Sequence, residues 1–308
     1  MGTRVGQYLF LQVLVGIGCF QMVSQLAGKA HRSWSLLRTN EPTVEREPVD
    51  AIPTTCHEQG PQDVDLASLT KLWIPGYPGS GSTMLRYLRE TLTGLEGEGL
   101  DVYYEHCRGL GIGCKTHYPF MCREDFPPER FPYISGKYIL LFRNPLHAIP
   151  SYYSFIHEQG SNTTSHTAQA PEEKWIEWRD ENFDDNLDAW KEFFYYWRDN
   201  HELAMYLPYE DLISLENGEE TFERLVQVYR ETNPNVSLAD DPSCLWRRYV
   251  LEPSKGKRSR SYTPRYSTVQ YQAMIGVLED LKRDFPNIRP MLQMYIDSCK
   301  EGLQFSLS

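Results

Sequence analysis

Three short, continuous apolar runs punctuate the chain: Leu72-Trp73-Ile74, Tyr138-Ile139-Leu140-Leu141-Phe142 after Lys137, and Leu203-Ala204-Met205-Tyr206-Leu207. Runs of this length without alternation belong to strands buried on both faces, as in parallel sheets. Leu100-Asp101-Val102-Tyr103-Tyr104 reads as a further strand. Between them apolar residues recur at helical spacing: Leu85, Leu88 and Leu92 within Met84 to Leu92, then Ala148 to His157 with Pro150 as an opening residue, then Thr221 to Tyr229. Trp175 to Trp197 carries tryptophan and phenylalanine at three- and four-residue spacings and predicts a helix or helix pair packed on the sheet. Strands alternating with helices predict an α/β fold, one three-layer domain around a central parallel sheet, with any ligand at the carboxyl ends of the strands.

A longer apolar run, Tyr8 to Val23, opens the chain after Arg4. At roughly 16 residues it is short for a spanning helix, which needs about 20, although thin early-secretory bilayers accept less. Gln25-Leu26-Ala27-Gly28 is a weak cleavage site, so residues 1–23 read as an uncleaved signal-anchor rather than a removed signal peptide. Residues 24–65 mix Pro42, Pro48, Pro53 and Pro61 with charges and show no sustained period, which describes a stem. The folded domain then spans 66–308, beginning near Leu66.

With 308 residues, 41% of them hydrophobic, the chain has material for one large core, and its net charge of −11 argues against a nucleic-acid partner. Beyond Cys19 in the apolar run there are six cysteines, Cys56, Cys107, Cys114, Cys122, Cys244 and Cys299. An even six is what an oxidising lumen leaves, with many pairings open. Cys107, Cys114 and Cys122 lack a C-x-x-C pair, so no metal is expected. Asn162-Thr163-Thr164 and Asn235-Val236-Ser237 are glycosylation sequons, usable in the same compartment.

The candidate chemistry centres on Gly76-Tyr77-Pro78-Gly79-Ser80-Gly81-Ser82-Thr83, set between the first strand and the first helix. Glycines let backbone N–H groups close around a phosphate, and a helix N-terminus adds partial positive charge. The spacing approaches the Walker A loop, with Ser82 where the lysine belongs. That lysine neutralises a triphosphate, so the loop predicts a smaller load such as a phosphate or phosphosulfate. Arg143 and Ser151 flank the next strand-to-helix turn and offer a forked donor and a hydroxyl for a second phosphate. Lys115 and His117 follow a strand, and Lys255, Lys257 and Arg258 form a late basic cluster.

These motifs, in this order, resemble the PAPS-dependent sulfotransferases. Tyr77-Pro78-Gly79-Ser80-Gly81-Ser82-Thr83 is similar to the family's Y-P-x-S-G-[ST]-T. Arg143-Asn144-Pro145 with Ser151-Tyr152-Tyr153-Ser154-Phe155 is similar to its R-N-P and downstream serine, Lys115-Thr116-His117-Tyr118-Pro119 to its K-T-H-x-P, and Tyr209-Glu210-Asp211-Leu212 to its Y-E-D-[LM]. The tryptophan-rich middle and the form of the loop are most like the sulfotransferase domain of the WSC-domain-containing group.

The resemblance covers roughly Lys71 to Tyr229 and implies a P-loop-like domain in which Pro78, Gly79, Ser80, Gly81, Ser82 and Thr83 hold the 5′-phosphosulfate of 3′-phosphoadenosine 5′-phosphosulfate (PAPS). Arg143 and Ser151, with Lys255, Lys257 and Arg258, would hold the 3′-phosphate. His117 would be the general base for in-line attack by the acceptor hydroxyl, which suits a side chain whose ordinary pKa is about 6.5. Lys115 would offset charge on the bridging oxygen. The implied reaction is sulfuryl transfer from PAPS as co-substrate to a hydroxyl-bearing acceptor, a glycan foremost, by a Golgi membrane protein with a lumenal body. Two departures stand out. Gly79 occupies the place where cytosolic members carry a lysine, leaving Lys115 or Arg86 to substitute, and Met84 stands where their loop ends in tryptophan. The alternatives are a P-loop nucleotide kinase, disfavoured because no acidic residue ends the run at Phe142 to hold Mg²⁺, and a catalytically inactive nucleotide-binding membrane protein.

Overall fold

A computed structural model of the chain describes residues 56–65, 68–95, 112–120, 136–160, 168–251 and 262–307. Four strands, β1 (Leu72–Pro75), β2 (Ile112–Thr116), β3 (Lys137–Phe142) and β4 (Glu202–Pro208), form one sheet in the order β2-β1-β3-β4, with every neighbouring pair parallel. The helices are α1 (Ser82–Thr93), α2 (Pro145–Gly160), α3 (Glu172–Asn200), the single turn α4 (Tyr209–Leu212), α5 (Gly218–Thr232), α6 (Pro242–Trp246), α7 (Thr268–Asp284) and α8 (Arg289–Leu307).

Strand alternation divides the core between the two faces of the sheet. Tyr138, Leu140 and Phe142 of β3 pack with α2, α3, α7 and α8, whereas Ile139 and Leu141 pack with α1, α5 and α6. This is the expected three-layer α/β architecture around a parallel sheet. From β1 the chain passes to β2 on one side and then to β3 on the other, so the strand order reverses around β1. A crevice at the carboxyl ends of β1 and β3 follows from that reversal.

The tryptophan-rich segment is one continuous helix of 29 residues, α3, burying Trp175, Phe183, Trp190, Phe193, Phe194 and Trp197. Helix α2 differs from expectation: it starts at Pro145, and Pro150 lies inside it. Asn144 explains the earlier start, because its Oδ1 accepts the Leu146 N–H at 3.0 Å and caps the helix, while Pro145 occupies a first-turn position that needs no donor. Pro150 cannot donate to the Leu146 carbonyl, and the Tyr266 hydroxyl supplies that bond instead at 3.3 Å. The hairpin of α7 and α8 has no counterpart among the elements expected from the sequence pattern.

The folded body also takes in residues that composition places in the stem. Cys56 is disulfide-bonded to Cys244 on α6, Gln59 N–H donates to Thr91 O at 2.9 Å, and Gln62 joins Ser237 through both its amide oxygen and its amide nitrogen. Residues 56–65 thus lie along the C-terminal end of α1. We expect Cys56→Ser/Cys244→Ser to lower the melting temperature by roughly 4–16 °C, from a bridge worth about 2–4 kcal/mol in a body of this size; thermal unfolding by circular dichroism measures it. Cys299, outside this bridge, is a buried thiol whose pKa burial pushes up to about 12, and Cys56–Cys244 is the one disulfide among the described residues.

The expected anchor (1–23), the remainder of the stem up to residue 55, Leu66 at the expected domain start and the expected strand at 100–104 lie outside the described residues. Among the described residues no helix is long and apolar enough to cross a membrane.

Candidate functional site

The glycine loop leaves β1 at the carboxyl rim, beside the end of β2. Gly76 N–H donates to Thr116 O at 3.2 Å, which brings the next residue, His117, against the loop. His117 Nδ1 lies 2.6 Å from Gly76 O. A carbonyl only accepts, so Nδ1 carries the proton and the basic lone pair of the neutral ring is on Nε2. A side chain at Gly76 would begin 2.7 Å from Leu141 O, so only glycine lets the loop cross the end of β3 this closely. Tyr77 turns inward and its hydroxyl donates to Asn186 Oδ1 on α3 at 2.6 Å.

Gly79 has φ +86° and presses on the second turn of α2: a Cβ there would sit 2.5 Å from Ala148 O and 3.0 Å from Ser151 Cβ. The expected neighbour pair of loop and Ser151 is therefore in contact range. It also follows why this position carries no lysine, since both the backbone angle and the space exclude a side chain. Gly81, at φ +94°, is the N-cap of α1, which has no side-chain cap and no acidic residue in its first turn. The N–H groups of Ser82 and Thr83 thus begin a helix with no carboxylate in its own first turn to neutralise its positive end. Inside the loop, Ser80 Oγ is buried and has no hydrogen-bond partner among the described residues. A buried hydroxyl without a partner costs stability unless a ligand or water satisfies it.

Arg143 approaches the same loop from β3. Its Nη1 donates to Gly79 O at 2.9 Å, its guanidinium lies 4.4 Å over the Tyr209 ring, and its buried Nε has no acceptor among the described residues. Tyr209 is in turn fixed against Gly81, where a Cβ would come 2.4 Å from the tyrosine ring. The backbone under Arg143 is locked at two further points: Trp190 Nε1 donates to Arg143 O at 3.0 Å, and Asn144 N–H donates to Glu210 Oε1 at 3.0 Å. Glu210 Oε2 accepts the Tyr295 hydroxyl at 2.5 Å, tying α8 to the turn. Burial raises the Glu210 pKa, while the bonds from Tyr295 and Asn144 and the charge of Arg143 pull it back. Glu210 thus satisfies a backbone donor beside the sheet.

His117 and Arg143 therefore grip one loop at its first and fourth residues, with Ser151 beside that fourth residue. Lys115 is placed differently from the expectation: it lies within β2, opposite Ile74, one residue short of the rim. Arg86 lies on α1 within 3.9 Å of Glu90 and over Tyr87. Lys255, Lys257 and Arg258 and the sequon at Asn162 are outside the described residues, while Asn235 sits in an exposed turn. No group of three or more His, Cys, Asp or Glu side chains that could hold a metal occurs among the described residues. Tyr209 belongs to a motif singled out in the sequence, but Trp190 and Tyr295 give no functional signal there, because their signal is only aromatic and their partners are distant in the chain. Comparison with protein-family models, with curated proteins and with solved structures finds no match to this chain.

Proposed function

We propose that the protein is a PAPS-dependent sulfotransferase that sulfates a hydroxyl of a glycan in the lumen of the secretory pathway, held to the membrane by residues 1–23. The observation that carries this reading is the pair of hydrogen bonds from His117 to Gly76 O and from Arg143 to Gly79 O, which join a base and a permanent cation to one glycine loop.

The residues present fit the group. The Ser80 hydroxyl, which has no partner among the described residues, and the first turn of α1, which has no side-chain cap, would with Ser82 and Thr83 hold the 5′-phosphosulfate beside Pro78, Gly79 and Gly81. The Arg143 guanidinium, with Nε short of an acceptor among the described residues, and Ser151 would hold the 3′-phosphate. PAPS supplies an activated sulfuryl group and a bisphosphate leaving group. Proton removal falls to His117. With Nδ1–H committed to Gly76 O, its Nε2 takes the proton of the acceptor hydroxyl. Arg143 brings a fixed positive charge to the carbonyl of Gly79, where cytosolic sulfotransferases carry lysine, and Lys115 is a second cation near the rim.

The direct test incubates the full chain with radiolabelled PAPS and a panel of glycans in EDTA. Label transferred to a glycan is the expected result. Transfer of phosphate from ATP with Mg²⁺ in place of sulfate would overturn the reading in favour of a kinase.

A further inference from the structure

The acceptor side of this site carries a feature that neither the loop nor the Arg143 turn explains. Tyr77, Phe120 and Tyr152 meet in a triangle, with ring centroids 5.3 Å (Tyr77–Phe120), 5.7 Å (Tyr77–Tyr152) and 5.5 Å (Phe120–Tyr152) apart. Phe120 belongs to the turn that starts at His117, donating its N–H to His117 O at 3.0 Å, and Tyr152 follows Ser151 on α2. From Tyr152 the series continues to Trp178 on α3 at 6.3 Å, and Trp178 stacks on Tyr153 at 4.8 Å and 22°. Tyr77 and Tyr153 are buried, but Phe120, Tyr152 and Trp178 are each only half-buried. A core needs its aromatic rings covered; a row of large rings left partly open, leading away from His117, is suited to a ligand.

The chemistry of that ligand follows from the rings and from the charges around them. The negative π face attracts the weakly positive C–H face of a saturated ring, and Trp and Tyr give large contact area with little loss of side-chain freedom. Trp178 also stands on a helix face whose exposed charges are mainly acidic: Glu181 and Asp185, three and seven residues on, are exposed there, against Lys174, which is itself bonded to Glu177 at 2.7 Å. Such a face repels carboxylated or sulfated chains. We propose that Phe120, Tyr152 and Trp178 form the acceptor platform and that it takes an uncharged sugar, laid against the rings with one hydroxyl directed to His117. The orientation towards His117 rests on the sulfotransferase reading; the sugar site itself does not.

The test measures sugar binding without PAPS. The full chain is titrated with an N-acetyllactosamine tetrasaccharide and, separately, a heparin-derived tetrasaccharide, following saturation-transfer NMR and tryptophan fluorescence. Saturating binding of the neutral sugar, weakened at least fivefold in Trp178→Leu, is expected, with stabilisation by 3′-phosphoadenosine 5′-phosphate unchanged in the variant. Leucine keeps apolar bulk over Tyr153 while removing the π face; Tyr152→Leu is the second variant should the first fail to fold. Unchanged neutral-sugar binding in a folded variant, no binding by the wild-type chain, or tighter binding of the heparin fragment would each overturn the proposal. Neutral-sugar binding through Trp178 without any response to the bisphosphate would sink the sulfotransferase reading and leave the platform standing.

Discussion

If the protein is the proposed sulfotransferase, His117→Ala is expected to lower sulfuryl transfer by about 10²–10⁴-fold, the range over which a positioned general base contributes to a rate, and to leave stabilisation by 3′-phosphoadenosine 5′-phosphate at the wild-type level. The separation is expected because His117 meets the loop at Gly76 O, whereas the groups proposed to face the phosphates are Ser80, the first turn of α1 and Arg143. Initial rates with saturating PAPS, paired with thermal-shift titrations, give both readouts. A variant that loses bisphosphate stabilisation together with activity would make His117 a structural support of the loop.

Gly79→Lys, which introduces the residue that cytosolic sulfotransferases carry at the corresponding place of their loop, is expected to damage this protein. A non-glycine residue at φ +86° carries about 1–2 kcal/mol of backbone strain. Its Cβ would also sit 2.5 Å from Ala148 O and 2.9 Å from Tyr152 N, and forced overpacking of that kind costs about 1–3 kcal/mol more. Relief requires the loop to leave α2, which separates Gly79 O from Arg143 and Ser151 from the loop. The expected outcome is a melting temperature lower by several degrees, weaker bisphosphate binding and a lower rate, despite the added charge. A Gly79→Lys chain with wild-type stability and a higher kcat would show that the loop tolerates the lysine and lacks only its charge.

The sequence carries much of this arrangement because the elements concerned are local. Leu72-Trp73-Ile74 and the run ending at Phe142 are too continuously apolar for a surface strand, and Leu85, Leu88 and Leu92 mark one helix face, so the positions of the glycine loop and Arg143 at strand ends follow from periodicity. The start of α2 is obscured because Pro150 is a good opening residue; the decision falls to Asn144, whose side chain caps the helix only in the folded turn. Long-range partners leave no trace in local pattern. Glu210 meets Tyr295, Arg143 O meets Trp190, and Cys56 meets Cys244 across 188 positions. The aromatic segment around Trp178 has a periodicity that fits core packing, and only the partial exposure of Trp178, Tyr152 and Phe120 in the fold speaks for the proposed platform. Gly79 is the converse case: its departure from the family pattern is plain in the sequence, but its reason, the close approach of Ala148 and Ser151, is purely spatial.

The central claim is that one bisphosphate spans the glycine loop and Arg143, and calorimetric titration of the full chain in detergent with 3′-phosphoadenosine 5′-phosphate, in EDTA, tests it most directly. The account predicts a single site in the wild-type chain, unchanged in His117→Ala and weakened by at least about 30-fold in Arg143→Ala, as loss of a charged partner to a phosphate requires. Binding of equal strength in Arg143→Ala, or no binding by the wild-type chain, would contradict it.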